Sequence, residues 1–288
     1  MTTQDDWAAQ TTADPLSDAG ATDMAGKAAL VAGGGLSGPL GGVGFSIAWL
    51  CAMAGSRVAV VDRDREAGER AVAAIRDAGS EAEWFSADVT DSASVEACVD
   101  AVAERFGGLD LVADSIGGGG AVPALDVDDD EFDRVMQLNF LSAWRIIKFS
   151  RRHLRRGGSI VTISSGATEG RGPAMPYTIA KTALEKLTVT AASTLAPDGV
   201  RVNGVRVGMI WGAFAARGMT EEQRELRRQN VALQTEGTVW DIAQAAYFLL
   251  SDRARWVSGQ VLAVDGGGFA MRGNTGAAGS APARKEEA

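Results

Sequence analysis

Histidine is almost missing from this 288-residue chain, and His153, set in the basic run Arg151-Arg152-His153-Leu154-Arg155-Arg156, is the only one. That excludes a histidine-based triad and a multi-histidine metal site, so no metal is expected and any chemistry rests on other groups. Cysteine is nearly as scarce. Cys51 and Cys98 are too few for a disulfide framework or a thiolate metal site, which points to a reducing compartment. No run approaches the roughly 20 apolar residues of a membrane span. The acidic stretch from Met1 to Asp23 holds no apolar segment of the kind a signal peptide needs, so a cytoplasmic location is expected. Positive charge is in deficit too: 28 Lys and Arg against 37 Asp and Glu leave a net charge of −9. Such a surface repels nucleic acid and anionic membranes, and neither is expected as a partner.

What is there is an ordinary globular balance, 46% hydrophobic and 23% charged, with 36 glycines whose positions matter more than their number. Residues 1–24 and 273–288 are small and polar without periodicity, and both read as mobile flanks of one domain spanning 25–272. Inside it, short apolar runs at 28–32, 57–61, 109–113, 159–163, 201–207 and 260–264 read as strands buried on both faces. Helical spacing fills the intervals 46–54, 66–78, 92–106, 131–154 and 178–195. This alternation predicts an α/β fold, a single-domain, Rossmann-like, doubly wound parallel sheet with helices on both faces.

The first strand ends in a glycine-rich turn, Gly33-Gly34-Gly35-Leu36-Ser37-Gly38-Pro39-Leu40-Gly41-Gly42-Val43-Gly44. Such a turn lets backbone N–H groups reach a pyrophosphate at a helix N-terminus. Gly33-x-Gly35-x-x-Gly38 matches the dinucleotide fingerprint. The later glycines argue against a stable helix before Phe45, so those abutting the helix are Gly42 and Gly44. The second strand ends at Asp62, where a carboxylate accepts hydrogen bonds from ribose hydroxyls and repels a 2′-phosphate, favouring NAD over NADP. Arg63 follows and softens that choice. Asp88 and Val89 stand where a chain can cap the adenine, the alternative being that Asp88 N-caps the next helix.

Tyr177 and Lys181 stand four apart on one helical face, about 6 Å along the axis. A free phenol has a pKa near ~10 and is a poor base at neutral pH. A neighbouring cation favours the phenolate, so the pair can exchange a proton with an alcohol or carbonyl. Upstream, the run Ile160-Val161-Thr162-Ile163 delivers Ser164 and Ser165 to the strand end where parallel sheets bind ligands.

With these residues in place the chain resembles the short-chain dehydrogenase/reductase family, in its shorter, single-domain branch, over nearly all of 25–270. The resemblance includes Ile163-Ser164-Ser165, Tyr177-x-x-x-Lys181, Leu138-Asn139, Gly199-Val200-Arg201-Val202-Asn203, and Val257-Ser258-Gly259-Gln260 leading to Val264-Asp265-Gly266-Gly267. It implies a catalytic tetrad: Tyr177 as general acid/base, Lys181 lowering its pKa and holding the nicotinamide ribose, Ser165 bonding the reacting oxygen, and Asn139 anchoring a water. Cofactor contacts are implied at Gly33, Gly42, Val43, Gly44, Asp62, Asp88, Val89, Gly117, Tyr177, Lys181, Gly208 and Ile210. The choice of serine stays open. Alignment on Ile-Ser-Ser selects Ser165, while the family's usual gap to the tyrosine selects Ser164; strand alternation favours Ser165.

The chain also departs from the family. Nine residues separate Gly33 from Gly42, roughly five more than usual, an insertion around Leu36–Leu40. Ala32 replaces a threonine, and the family's Asn-Asn-Ala-Gly is here Asp114-Ser115-Ile116-Gly117. A Pro-Gly has become Val207-Gly208, and Gly212 stands where a threonine often contacts the nicotinamide amide.

The acidic run at Asp126 and 128–131 reads as a helix start, and Arg151–Arg156 as the same helix's cationic end. Trp144, Trp240 and Trp256 read as core or interface anchors. Trp211, with Met209 and Phe214, opens the family's substrate lid at 213–235 and suggests an apolar or ring-bearing substrate. The reading is an NAD-dependent oxidoreductase interconverting a secondary alcohol and a ketone. Alternatives are an NADP-dependent 3-oxoacyl or polyketide-type carbonyl reductase and a non-catalytic dinucleotide-binding relative. An enoyl reductase of this fold usually spaces its tyrosine and lysine more widely. Family resemblance implies a homotetramer or homodimer, with residues 178–195 and 261–270 at the interfaces.

Overall fold

The computed structural model describes residues 23–38, 41–119, 123–169, 175–212, 219–229 and 231–268. Strand β1 (Ala28–Ala32) is buried along its whole length. Its alternate residues face opposite cores. Ala29 and Val31 join a cluster with Ile47, Val58, Val60 and Ile242, while Leu30 and Ala32 join another with Val99, Phe106, Ile146 and Val202. A period of 2 with both sides apolar marks a strand covered by helices on both faces.

Strands β2 (Arg57–Val61), β3 (Ala82–Phe85), β4 (Leu109–Asp114), β5 (Leu154–Ser165), β6 (Arg201–Val207) and β9 (Val261–Val264) complete a seven-stranded sheet with β1. All neighbours are parallel, in the order β3-β2-β1-β4-β5-β6-β9. Two short strands, β7 (Ile210–Trp211) and β8 (Gly237–Thr238), pair separately. One face carries α1 (Val43–Met53), α2 (Arg65–Asp77) and α8 (Val239–Leu250); the other carries α3 (Ser92–Phe106), α5 (Ser142–Ser150) and α6 (Pro176–Leu195). Helices α4 (Asp129–Met136) and α7 (Glu221–Gln229) complete the described α-helices. After β3 the chain crosses to the far side of β1, so the strand order reverses between β1 and β4, and ligands of open α/β sheets bind at such a point.

Several boundaries differ from those the sequence predicts. Helix α1 starts at Val43, not after Gly44, because a Cβ on Gly44 would overlap the Gly33 carbonyl. That close approach of helix to turn outweighs the glycine's poor helix propensity. The expected helix 131–154 occupies 129–150 and is broken by a π turn, Gln137–Leu141, centred on Asn139. Its acidic start is as expected, with Asp128 accepting from the Glu131 N–H at 2.8 Å. Its basic end is not. Arg152 pairs with Glu96 and Asp100 of α3 at 2.8 and 2.7 Å, while Arg155, already in β5, pairs with Asp110 at 2.6 Å.

The expected mobile flanks lie outside the described residues except for Asp23 and Met24, which pack into the fold. Met24 is fully buried and Asp23 accepts a hydrogen bond from the Tyr247 hydroxyl. Trp144, Trp240 and Trp256 are not core residues: their exposures are 39%, 41% and 86%. Among the described residues no helix is long and apolar enough to cross a membrane.

Candidate active site

The C-terminal edge of the sheet gathers the expected residues. Gly33 leaves β1 with φ +75°, a left-handed conformation that favours glycine. Its N–H donates to Val61 O at 2.8 Å, and a Cβ there would meet Ile116 at 3.2 Å. Gly42 caps α1 in an extended conformation and brings no side-chain acceptor to the first turn; a Cβ on it would meet nothing within 4 Å. The turn therefore presents the positive end of α1 with its approach unobstructed by side chains at 42 and 44, a cradle that fits a pyrophosphate.

The lengthened turn lies back on α2. The Leu36 N–H donates to Ala67 O at 2.9 Å, and Arg70 Nε donates to Leu36 O at 3.1 Å. Residues 39 and 40 of the insertion fall outside the described residues. Asp62, half-buried at the end of β2, accepts from the Gly35 N–H at 3.1 Å and the Asp64 N–H at 3.0 Å. A carboxylate has about four acceptor positions, so roughly two remain for ribose hydroxyls.

Asp88 does not cap the following helix. Asp91 does, accepting from the N–H groups of Ala93 and Ser94 at 3.2 Å each. Asp88 instead accepts from the Thr90 hydroxyl at 2.6 Å and the Thr90 N–H at 2.9 Å, bonds that lower its pKa. Val89 is buried, and its carbonyl accepts from Arg145 Nη1 at 3.2 Å.

The proposed tetrad is assembled from three elements. Pro176 opens α6, which places Tyr177 in the first turn and Lys181 one turn later. Lys181 is buried and donates to Ile163 O at 2.9 Å and Ile116 O at 3.1 Å; its Nζ lies 5.9 Å from the Tyr177 ring centroid. The π turn sets Asn139 beside it. Asn139 Oδ1 accepts from the Gly118 N–H at 2.9 Å, and Nδ2 donates to Gly118 O at 2.6 Å and Val135 O at 2.9 Å. Gly117 passes so close that a Cβ would meet Asn139 Oδ1 at 3.0 Å and Lys181 Nζ at 3.1 Å.

The two serines separate cleanly. Ser165 lies on the Tyr177 side, near enough for its hydroxyl to hold the phenol's pKa down, and its Oγ accepts from the Ala167 N–H at 3.2 Å. Ser164 points the other way and donates to Glu185 Oε1 at 2.7 Å.

Burial raises the Tyr177 pKa, opposed by the Ser165 hydrogen bond. The expected lowering by Lys181 is not what this geometry gives, since the ammonium is turned to two backbone carbonyls. Burial pushes Lys181 down to about 8, with the charge of Asp114 opposing. Asp114 itself is buried at the end of β4 and pushed up to about 6, with Lys181 opposing. Its Oδ1 accepts from the Ile116 N–H at 3.3 Å. The sequence marks Asp114 only as a departure from the family's asparagine. Glu185 carries no motif, and its spacing of four from Lys181 is the one signal that could have found it.

Beyond β6, the Gly208 N–H donates to Val264 O at 3.0 Å and the Ile210 N–H to Gly208 O at 3.1 Å. Gly212 packs against Val239, where a Cβ would come within 2.7 Å. The Trp211 ring is covered on one face by the Arg224 guanidinium at 4.0 Å, and Arg224 is held by Glu236. Phe214 lies outside the described residues.

Comparison with known proteins bears on the family and the fold. A family model described as enoyl-(acyl carrier protein) reductase matches residues 38–268. The chain is 33% identical over 246 residues to the 7alpha-hydroxysteroid dehydrogenase of Escherichia coli K12, covering 84% of this chain and 94% of that one. It is 33% identical over 258 residues to a versicolorin reductase of Emericella nidulans, covering 85% and 96%. Among solved structures, a short-chain dehydrogenase from Burkholderia cenocepacia in complex with NADP superposes with a TM-score of 0.77 at 30% identity, covering 85% and 99%.

Proposed function

The chain belongs to the short-chain dehydrogenase/reductase family, and from that premise we propose the reaction of this oxidoreductase: interconversion of a secondary alcohol and a ketone with NAD. The observation that carries the proposal is the gathering of Ser165, Tyr177 and Asn139 at the sheet edge, with Lys181 buried behind them and bonded to Ile163 O and Ile116 O. Gly33, Gly42, Val43 and Gly44 would hold the pyrophosphate and Asp62 the adenosine ribose, with Asp88 and Val89 near the adenine. Gly117, Gly208, Ile210, Tyr177 and Lys181 would line the nicotinamide end. The bound dinucleotide supplies the acceptor, or the donor, of the hydride that travels with its electron pair.

In the oxidising direction the Tyr177 oxygen takes the alcohol proton while Ser165 Oγ donates to the same oxygen. Lys181, its charge supported by Asp114, would hold the nicotinamide ribose, while the Ser165 hydroxyl is the group that favours the phenolate. Asn139 fixes Gly117 and Gly118 against Lys181 and so keeps the ammonium in place. Tyr177→Phe removes the proton carrier and should cut turnover by about 10²–10⁴-fold. A calorimetric NADH titration of the same variant should stay within a few-fold of the parent. Near-parental rates over a panel of secondary alcohols would overturn the role of Tyr177.

A second reading, an NADP-dependent carbonyl reductase, is favoured by exposed Arg63 beside Asp62, by the NADP in the Burkholderia structure and by the reductase name of the Emericella relative. Parallel titrations with NADH and NADPH decide between them. Binding without turnover across the panel would mark a non-catalytic relative. The matched description names an enoyl reductase, but the four-residue spacing of Tyr177 and Lys181 favours carbonyl chemistry. The hydroxysteroid in the Escherichia coli relative's name, with the apolar groups Met209 and Trp211, supports a ring-bearing substrate.

Exposed Ile179 and Val189 on α6, and Phe248 and Leu262 on α8 and β9, support a homotetramer or homodimer. Sedimentation as a monomer would overturn that.

A further inference from the structure

Glu185 lies one helical turn beyond Lys181 and two beyond Tyr177, on the same face of α6. Its carboxylate gathers donors from three other elements. Ser164 Oγ at the end of β5 donates to Oε1 at 2.7 Å, and Thr168 Oγ1, in the 3₁₀ turn Gly166–Glu169, donates to it at 3.2 Å. Arg206 of β6 donates through Nε to Oε1 at 2.9 Å and through Nη2 to Oε2 at 2.6 Å. Arg206 also reaches Glu169 at 2.5 Å. Both Glu185 and Arg206 are largely shielded, with 15% and 19% of their side chains exposed. A bidentate pair in that setting is stiffer than a surface ion pair.

What this cluster grips is the backbone on either side of Ser165. The single Thr168 hydroxyl proton is shared between Glu185 Oε1 and Ser165 O, the latter at 3.0 Å, and the Ala167 N–H of the same turn donates to Ser165 Oγ at 3.2 Å. Helix α6 thus holds β5 at two consecutive residues, Lys181 at Ile163 O and Glu185 at Ser164 Oγ. The Tyr177 phenol is carried on the same helix.

We propose that Glu185, paired with Arg206, is a positioning residue that sets the Ser165 hydroxyl against the Tyr177 phenol by gripping Ser164 and Thr168. Its catalytic consequence rests on the reading of Tyr177 as acid/base, but the positioning itself can be measured without substrate or cofactor.

The Ser165 hydrogen bond lowers the Tyr177 pKa against the rise due to burial, so misplacing Ser165 raises the titration midpoint of Tyr177. Charge alone predicts the reverse. Facing the phenol are Lys181 on its own helix and, behind it, Asp114 of β4; facing Glu185 are Arg206 of β6 and Glu169 of the turn, with Asp265 beyond β9 acting on Arg206. Glu185→Gln keeps the shape, removes a negative charge and leaves Arg206 in excess, which by Coulomb attraction would lower the midpoint.

The chain has two tyrosines, Tyr177 and Tyr247, so in a Tyr247→Phe background phenolate absorbance reports Tyr177 alone. Glu185→Gln should raise its midpoint by about half a unit to one unit, a small-to-moderate pKa perturbation. Ser165→Ala should raise it further, and adding Glu185→Gln to Ser165→Ala should raise it no more, leaving only the small downward pull of the unpaired Arg206. Thr168→Val, which keeps every charge, should raise it by less than Glu185→Gln does. A lowered or unmoved midpoint in Glu185→Gln, or full additivity with Ser165→Ala, would overturn the inference. In turnover, kcat should fall several-fold with KM and NADH affinity held. If the midpoints move as stated while Tyr177→Phe stays active, the positioning stands and the acid/base reading falls.

Discussion

Around Tyr177 the buried polar groups are engaged by the protein itself: Lys181 by two carbonyls, Asn139 by both polar atoms of Gly118, Ser164 by Glu185. Along the β1–α1 turn the pattern is the opposite. Gly42 brings no capping side chain, and side-chain-free positions open the first turn of α1. The proposed catalytic side is held in place by the chain's own side chains and carbonyls, which suits proton transfer, where geometry must be fixed in advance. The dinucleotide side is shaped by backbone, which suits a large anion recognised by N–H groups. Shape is therefore set by side chains on one side and by the absence of side chains on the other.

This contrast predicts where substitution hurts most. Gly44→Ala should be the most damaging, because the new methyl overlaps backbone, the Gly33 carbonyl, which cannot swing away. It should cost about 1–3 kcal/mol of stability, as overpacking does, and lower dinucleotide affinity as α1 is pushed off the turn. Calorimetric unfolding and an NADH titration measure the two losses; parental values of both would break the contrast. On the catalytic side Gly117→Ala meets only side-chain tips, so its loss should be smaller.

Asp114→Asn tests the engaged side through pH. Burial raises the Asp114 carboxyl to about 6, above the ~3.9 of an unfolded aspartate. The folded state holds that proton more tightly, so this contribution to stability is whole below the unfolded pKa and is lost as pH rises to about 6. The asparagine variant has no such loss. Its stability relative to the parent should rise across that window, by at most about 1.4 kcal/mol per pH unit. Parallel melting-temperature curves would show that Asp114 is not the buried acid of the site.

Much of this was legible in the sequence, for identifiable reasons. Residues 28–32 and 57–61 read correctly as strands because burial on both faces leaves apolar runs, interrupted only by Arg57 at the start of β2. Edge strand β3 did not, since in Ala82-Glu83-Trp84-Phe85 only Ala82 is buried. Helix α8 announces itself only through Thr238 and Asp241, a capping box ahead of an apolar run. Ser164 and Ser165 could be told apart by strand alternation, which turns neighbours to opposite sides. The Glu185–Arg206 clamp could not be read, because it joins residues brought together only by the register of β5 with β6, Ser164 beside Arg206.

Asp62→Ala probes the dinucleotide side with the smallest expected effect. Asp62 does two things there: it accepts from the Gly35 N–H, and it offers remaining acceptor positions at the end of β2. Losing the first loosens the turn and should weaken both dinucleotides alike. Losing the second removes charge-assisted bonds to the ribose of NADH and lifts repulsion from the 2′-phosphate of NADPH. The ratio of the two affinities cancels the common loss and isolates the ribose contact. It should move toward NADPH by about fivefold to tenfold, roughly 1–1.4 kcal/mol. Equal weakening of both would leave Asp62 as a support of the turn alone, and would put the discrimination in residues that follow it, beginning with Arg63.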